Sequence, residues 1–308
     1  GTAGTAGTGG TGGVGGQAGA PPGCGDGNQT PDEECDDGDR RSHDGCSSGC
    51  TVEEPTWTEL SPVASPSLRV DHDIAYDPSR DQLVSFGGYR AGPLFETWEY
   101  DAIAWWQRSP ATQTTARYDH AMVFDSTNDV VLLYGGSSGG TAGLDDTWSF
   151  NGVTWSSTGT GTPGARYQHA MAFDSTRGCA VVFGGTHGGA TLGDTAELCA
   201  GSWSAVTPTL SPPPRFGHAM AYDPNIARVV LFGGYDDTGD VEHADTWEYD
   251  GTTWSPITTT TVPDHRRFHH MTFDPDRRRI VMAGGSDGTS ELLETWEYAG
   301  GNWVETTP

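Results

Sequence analysis

Apolar and polar positions in this chain follow one long repeat. An apolar run that ends in a glycine pair occurs five times, as Leu83 to Gly88, Val130 to Gly136, Ala180 to Gly185, Val229 to Gly234 and Ile280 to Gly285. The first glycines fall at 87, 135, 184, 233 and 284, so the unit is about 49 residues long and tandem. Each unit holds four short runs. In the fourth copy they are Ala219-Met-Ala-Tyr222, Val229 to Phe232, Thr246 to Tyr249 and a closing run at Trp254. Runs of this length separated by turn residues predict strands, and helical patterns are almost absent. Asp223-Pro224 and Asp274-Pro275 suit a type I turn between the first and second strands. Asn151-Gly152 and Asp250-Gly251 predict two-residue primed turns between the third and fourth, where glycine supplies positive φ. Each unit therefore reads as a four-stranded antiparallel meander. One meander cannot bury both of its faces, so neighbouring copies must pack face to face around an axis. The expected fold is an all-β propeller with five visible blades over residues 56–308.

Comparing the five copies separates frame from decoration. An Arg and a His recur in register as Arg69 and His72, Arg117 and His120, Arg166 and His169, Arg215 and His218, and Arg266 and His269. An aspartate marks the first turn as Asp77, Asp125, Asp174, Asp223 and Asp274, and a tryptophan recurs as Trp98, Trp148, Trp247 and Trp296, with Ala196 in its place in the third copy. A residue needed in every blade is most simply structural. The histidines are expected to hydrogen-bond between neighbouring strands rather than to form a metal ring, although imidazole is a common metal ligand. The arginines are assigned to the scaffold too, because no S-x-D-x-G-x-T-W box supports a sialidase-type carboxylate site.

A glycine pair after an apolar strand, followed by an aromatic such as Tyr249 and a tryptophan such as Trp254, resembles the kelch repeat. The interval between these two is five residues in Phe150 to Trp155, Tyr249 to Trp254 and Tyr298 to Trp303, which is shorter than usual for that family. The resemblance implies a propeller. Galactose oxidase carries a kelch propeller, but its copper site needs Tyr and His ligands with a Cys crosslinked to a Tyr, and no spare cysteine serves here.

Two different segments precede the repeats. Residues 1–22 are Gly, Thr and Ala with little else, the composition of a flexible spacer. Residues 23–51 carry Cys24, Cys35, Cys46 and Cys50 with almost no apolar core, which indicates a small disulfide-stapled module. Their spacing lacks the paired C-x-x-C knuckles of a structural zinc site. The C-G-D-G, E-E-C-D-D-G and D-G-C-S-x-x-C elements resemble a short cysteine-rich repeat of myxobacterial surface proteins, and that resemblance implies an exported bacterial protein. Asp36, Asp37, Asp39 and Asp44 crowd around Gly38 and make calcium the one cofactor the sequence suggests, although the spacing is not that of an EF-hand loop.

Charge narrows the partners. All 16 basic residues are Arg and the formal net charge is −26, which argues against nucleic acid as a partner. No apolar run approaches the roughly 20 residues that cross a bilayer as a helix. The chain opens at Gly1, and a signal peptide or a lipid or membrane anchor is expected upstream, with the folded part outside the cell or on its surface.

Cys179 and Cys199 are expected to form a disulfide across the second and third strands of the third blade. If Phe183 faces Thr195 the index sum is 378, and 179 plus 199 gives the same sum. The equivalent pair in the fourth blade is Arg228 and Asp250, opposite charges suited to facing sites. A closing-strand motif, Thr56-Trp-Thr-Glu-Leu60, also precedes the first Arg, so six closing strands serve five triplets. Either further repeats or one orphan edge strand would follow.

No catalytic constellation stands out: there is no G-x-S-x-G elbow, phosphate loop or H-E-x-x-H helix. The leading expectation is a non-catalytic binding or scaffold protein that recognises carbohydrate or protein through the loops between second and third strands. These loops vary between copies and carry Tyr89, Arg90, His187, Tyr235, Asp236, Asp237, His243 and Asp287. Tyr235 is expected to be the apolar platform, with its neighbouring carboxylates as hydrogen-bond acceptors. The alternative is a secreted enzyme, an oxidase or a glycan-active hydrolase, which should show asymmetric acidic, His or Tyr residues from several blades converging at one end of the axis.

Overall fold

The computed structural model describes residues 59–160 and 163–306. The spacer, the cysteine module with Cys24, Cys35, Cys46 and Cys50, and the calcium candidates Asp36, Asp37, Asp39 and Asp44 lie outside these residues. The described chain is all-β, with no helix long and apolar enough to cross a membrane.

Five four-stranded antiparallel sheets form the blades of a propeller. The first blade comprises Asp73–Asp77, Gln82–Phe86, Thr97–Tyr100 and Trp105–Arg108. The second comprises Ala121–Asp125, Val130–Tyr134, Asp146–Phe150 and Trp155–Thr160. The third is Ala170–Asp174, Cys179–Phe183, Thr195–Cys199 and Ser202–Val206, and the fourth is Ala219–Asp223, Arg228–Phe232, Thr246–Tyr249 and Trp254–Ile257. The fifth is His270–Asp274, Arg279–Ala283, Thr295–Ala299 and Asn302–Glu305. In every blade the strands pair in sequence order, as a meander requires.

The core lies between blades. Val84 and Phe86 of the first blade pack against Met122, Val131, Leu133, Phe150 and Trp155 of the second, and equivalent clusters join the second to the third, the third to the fourth and the fourth to the fifth. Strand alternation explains this, since side chains two apart share a face and each blade shows one apolar face to each neighbour. A closing-strand tryptophan ties each pair. The indole N–H of Trp155, Trp203, Trp254 and Trp303 donates to the hydroxyl of Thr97, Thr147, Thr195 and Thr246 in the preceding blade, at 2.8–2.9 Å. Burying one such ring removes on the order of 200 Å² from water, an upper bound of about 5 kcal/mol each.

The repeated polar residues are indeed scaffold. Arg117, Arg166, Arg215 and Arg266 are buried, and each donates to the carbonyl of its own blade's first glycine. Arg117, Arg166 and Arg215 also fork onto Asp146, Asp194 and Asp245. That fork matches guanidinium geometry, which a lysine could not reproduce. The first-turn aspartates cap their own turns, Asp77 accepting the amides of Ser79 and Arg80. The first glycine of the pair answers to close approach, because a Cβ on Gly184 (φ +63°) would lie 2.4 Å from the Arg215 carbonyl oxygen.

The histidines meet the expectation in part. They are buried between blades, but the rings of His120, His169, His218 and His269 meet Phe86, Tyr134, Phe183 and Phe232 edge-on at 5.4–5.8 Å. Neither ring nitrogen of His120 or His218 has a hydrogen-bond partner. His120 and His218 thus act as compact aromatics, while His169 and His269 also interact with the main chain of Tyr134 and Phe232 in the preceding blade, as expected of a residue between strands.

The turn at Asn151-Gly152 also differs. Phe150 faces Trp155, leaving four residues in the loop, and the Asn151 side-chain oxygen accepts the amides of Val153 and Thr154. Asp250 does the same for Thr252 and Thr253. An Asx turn thus replaces the two-residue primed turn, because the side chain satisfies the amides that a tighter hairpin would have paired. Two-residue turns with both φ positive occur instead at Ala200-Gly201 and Gly300-Gly301. The Cys179–Cys199 disulfide is present between facing residues, in the same register that pairs Phe183 with Thr195.

Candidate functional site at the axial rim

The loops between second and third strands and the connections that enter each first strand lie at one end of the propeller. Two of these loops are themselves hairpins, Thr186–His187 with Ala190–Thr191 and Tyr235–Asp236 with Val241–Glu242. His187 is exposed on the first of them. Tyr89 is exposed, as is Arg90 beside it, and the Tyr89 ring meets Tyr118 of the next blade at 5.1 Å. The fourth-blade hairpin brings Tyr235, Asp236, Asp237 and His243 together, and burial followed by Arg215 pulls His243 down. Asp287, in the next blade, is turned into its own loop and accepts the Thr289 hydroxyl and then the amides of Thr289 and Ser290, which hold its carboxyl low.

Tyr235 is not the open platform expected of it. Its hydroxyl donates to Asp240 at 2.7 Å, its edge meets Phe216 at 5.5 Å, and the Arg267 guanidinium lies over its face at 4.6 Å. Arg267 comes from the following blade, which is why the local sequence did not reveal the cover.

The connections before the first strands supply the residues that the loop reading missed. Asp71, Asp119, Gln168, Gly217 and Phe268 occupy equivalent places in the five blades, all with φ between +55° and +65°. Backbone rungs join them around the axis: Phe268 N–H donates to Gly217, Gly217 to Gln168, Gln168 to Asp119 and Asp119 to Asp71, at 2.6–2.9 Å. The main chain is thereby fixed while the side chains differ. The visible signal was variation inside a fixed Arg-x-x-His frame.

This rim is chemically asymmetric. Burial, reinforced by the neighbouring Asp71 carboxylate, pushes the Asp119 carboxyl up to about 7, against a hydrogen bond from Gln168. Burial raises Asp71 as well. One step further in, Asp73 and His270 stand where the other blades have Ala121, Ala170 and Ala219. Asp73 accepts the Ile74 and Met122 amides, and burial takes it to about 6 against the pull of His270 and those amides. Across the rim Phe268 is 47% exposed. Its ring lies over Gly217, where a Cβ would come within 3.1 Å of it, and it neighbours Phe216 at 6.3 Å with Arg267 behind.

Among the described residues the one group with metal-ligand spacing is Cys179, Glu197 and Cys199, whose thiols are already joined in the disulfide. No protein-family model matches the chain, and no curated protein matches it significantly.

Proposed function

We propose that the propeller is a non-catalytic recognition module, of kelch type, that binds carbohydrate at the axial rim. Phe268 carries this reading. A bulky side chain in the left-handed region costs about 1 kcal/mol or more, and one that is also exposed gains little burial in return. Such strain is retained where the side chain faces a ligand. A sugar ring stacks on an exposed aromatic, and Asp71, Asp119 and Gln168 on the same rim offer acceptors and an amide to its hydroxyls. The expected setting is the cell surface of a bacterium. The sequence likeness of residues 23–51 to a cysteine-rich surface repeat and the disulfide in the third blade support it.

The test is Phe268→Asn, since Asn tolerates positive φ. Glycan-array binding should be lost while stability rises by about 1 kcal/mol in urea unfolding. Binding that survives unchanged would sink the proposal. One observation favours a glycan-active hydrolase as second reading: two adjacent carboxyls, one of them held protonated near neutrality. Turnover of a bound glycan that Asp119→Asn abolishes, with binding kept, would select it.

A further inference from the structure

The position just before each rim residue holds Val70, Tyr118, Tyr167, Phe216 and Arg267 in turn, so the fifth blade alone places a charge there. Main-chain hydrogen bonds in both directions with Ser286 pin Arg267. The frame arginines spend their guanidinium donors inside the blades, Arg117 on Gly135, Thr114 and Asp146. Arg267 does not. Among the described residues its side chain donates no hydrogen bond, and its Nε stands 3.7 Å from Glu242 Oε1, beyond hydrogen-bond reach. Glu242 is an incomplete partner, because its Oε2 is buried with no hydrogen bond and burial pushes its carboxyl up. The other carboxylates nearby are engaged, Asp240 with the Tyr235 hydroxyl and Asp287 with its own loop.

What fixes the guanidinium is stacking. It lies 4.6 Å from the centre of the Tyr235 ring and 5.9 Å from that of Phe268, and the side chain is still 25% exposed. Glycine at 217 makes room for this arrangement. A Cβ there would come within 3.1 Å of the Phe268 ring and 3.3 Å of the Arg267 Cβ, so both side chains border the space that the missing one leaves. An exposed ring and a planar fork of free N–H donors thus stand side by side, and such a fork matches the two oxygens of a carboxylate.

We propose that Arg267 selects acidic sugars: the ring of a uronic acid lies on Phe268 and its carboxylate takes the free donors of Arg267 in place of the loose contact with Glu242. This rests on the rim being a recognition site and names the class of its ligand. The formal charge of −26 does not prevent the pairing, since charges farther away than a Debye length of about 8 Å are largely screened at physiological ionic strength. Asp119, which keeps its proton up to about pH 7, adds little repulsion on the rim itself.

Matched oligosaccharides on one array test it: a uronate, the methyl ester of the same uronate and the corresponding neutral sugar. The parent protein should prefer the uronate. Arg267→Gln should weaken uronate binding by about tenfold or more and leave the ester and the neutral sugar as they were. Arg267→Lys should recover only part of the loss, because an ammonium cannot present the fork. Glu242→Gln removes the resident counter-charge and should tighten uronate binding, a gain that a purely structural Arg267 would not give. Phe268→Asn should weaken all three ligands. A parent protein without preference for the uronate, or Arg267→Gln weakening all three alike, would overturn the assignment, and the rim would remain a recognition site if Phe268→Asn still abolished binding. A parent protein that binds none of the three sinks both readings.

Discussion

At the scale of single residues, the consequence of the buried imidazoles is a pH dependence with a definite sign. Burial, then Arg166 and Arg266, takes His169 and His269 down to about 3, and His120 and His218 are lowered in the same way. Between about pH 3 and 6.5 the unfolded imidazole binds a proton that the folded one refuses. This stability is complete above about pH 6.5 and is lost as pH falls. Asp119 and Asp73 act oppositely: raised to about 7 and about 6, they keep protons that unfolded carboxyls release near pH 4, so their contribution fades as pH rises. Four imidazoles outweigh two carboxyls. The unfolding free energy should therefore fall as pH is lowered from 7 to 5, by about 1.4 kcal/mol per pH unit for each unbalanced proton, and the urea midpoint with it. Replacing His169 and His218 by Gln should flatten that limb, and a midpoint indifferent to pH in the parent protein would contradict the assignment.

At the scale of elements, the third blade carries a staple where the fourth carries Arg228 opposite Asp250, whose carboxyl the Thr252 hydroxyl and the amides of Thr253 and Thr252 hold low against burial, with Arg228 adding to them. The disulfide closes a loop with a sequence separation of 20, worth about 3 kcal/mol in the chain-entropy account. Cys179→Ser with Cys199→Ser should lower the unfolding free energy from urea titration by that amount and leave the strand content by circular dichroism unchanged. This pairing was legible before the structure because strand register is arithmetic: once Phe183 faces Thr195, every facing pair in the hairpin has the same index sum. The Asn151 and Asp250 turns were not, since a side-chain oxygen able to cap two amides competes with a primed turn and the dipeptide alone does not decide between them. The rim was half legible. Asp71, Asp119, Gln168 and Phe268 come together only through rungs between residues some 49 positions apart, and Arg267 covers Tyr235 from another blade altogether.

At the scale of the whole molecule, a formal charge of −26 is carried on a fold whose Arg residues are largely spent on internal pairs, Arg117 with Asp146 and Arg215 with Asp245 among them. The remaining carboxylates repel one another, and salt screens that repulsion more than it weakens the buried pairs. Raising NaCl from 0.05 to 0.5 M at pH 7 should thus raise Tm, and a fall would mean that exposed ion pairs dominate instead. The rungs that join Phe268 to Gly217, Gln168, Asp119 and Asp71 have a further consequence. They hold the rim through main-chain bonds, so positions 71, 119 and 168 can be rewritten, within what a left-handed backbone tolerates, with the rungs kept. A library randomised there amounts to an alphabet of receptors on one frame, in which new specificities are spelled by side chains while the architecture stays constant.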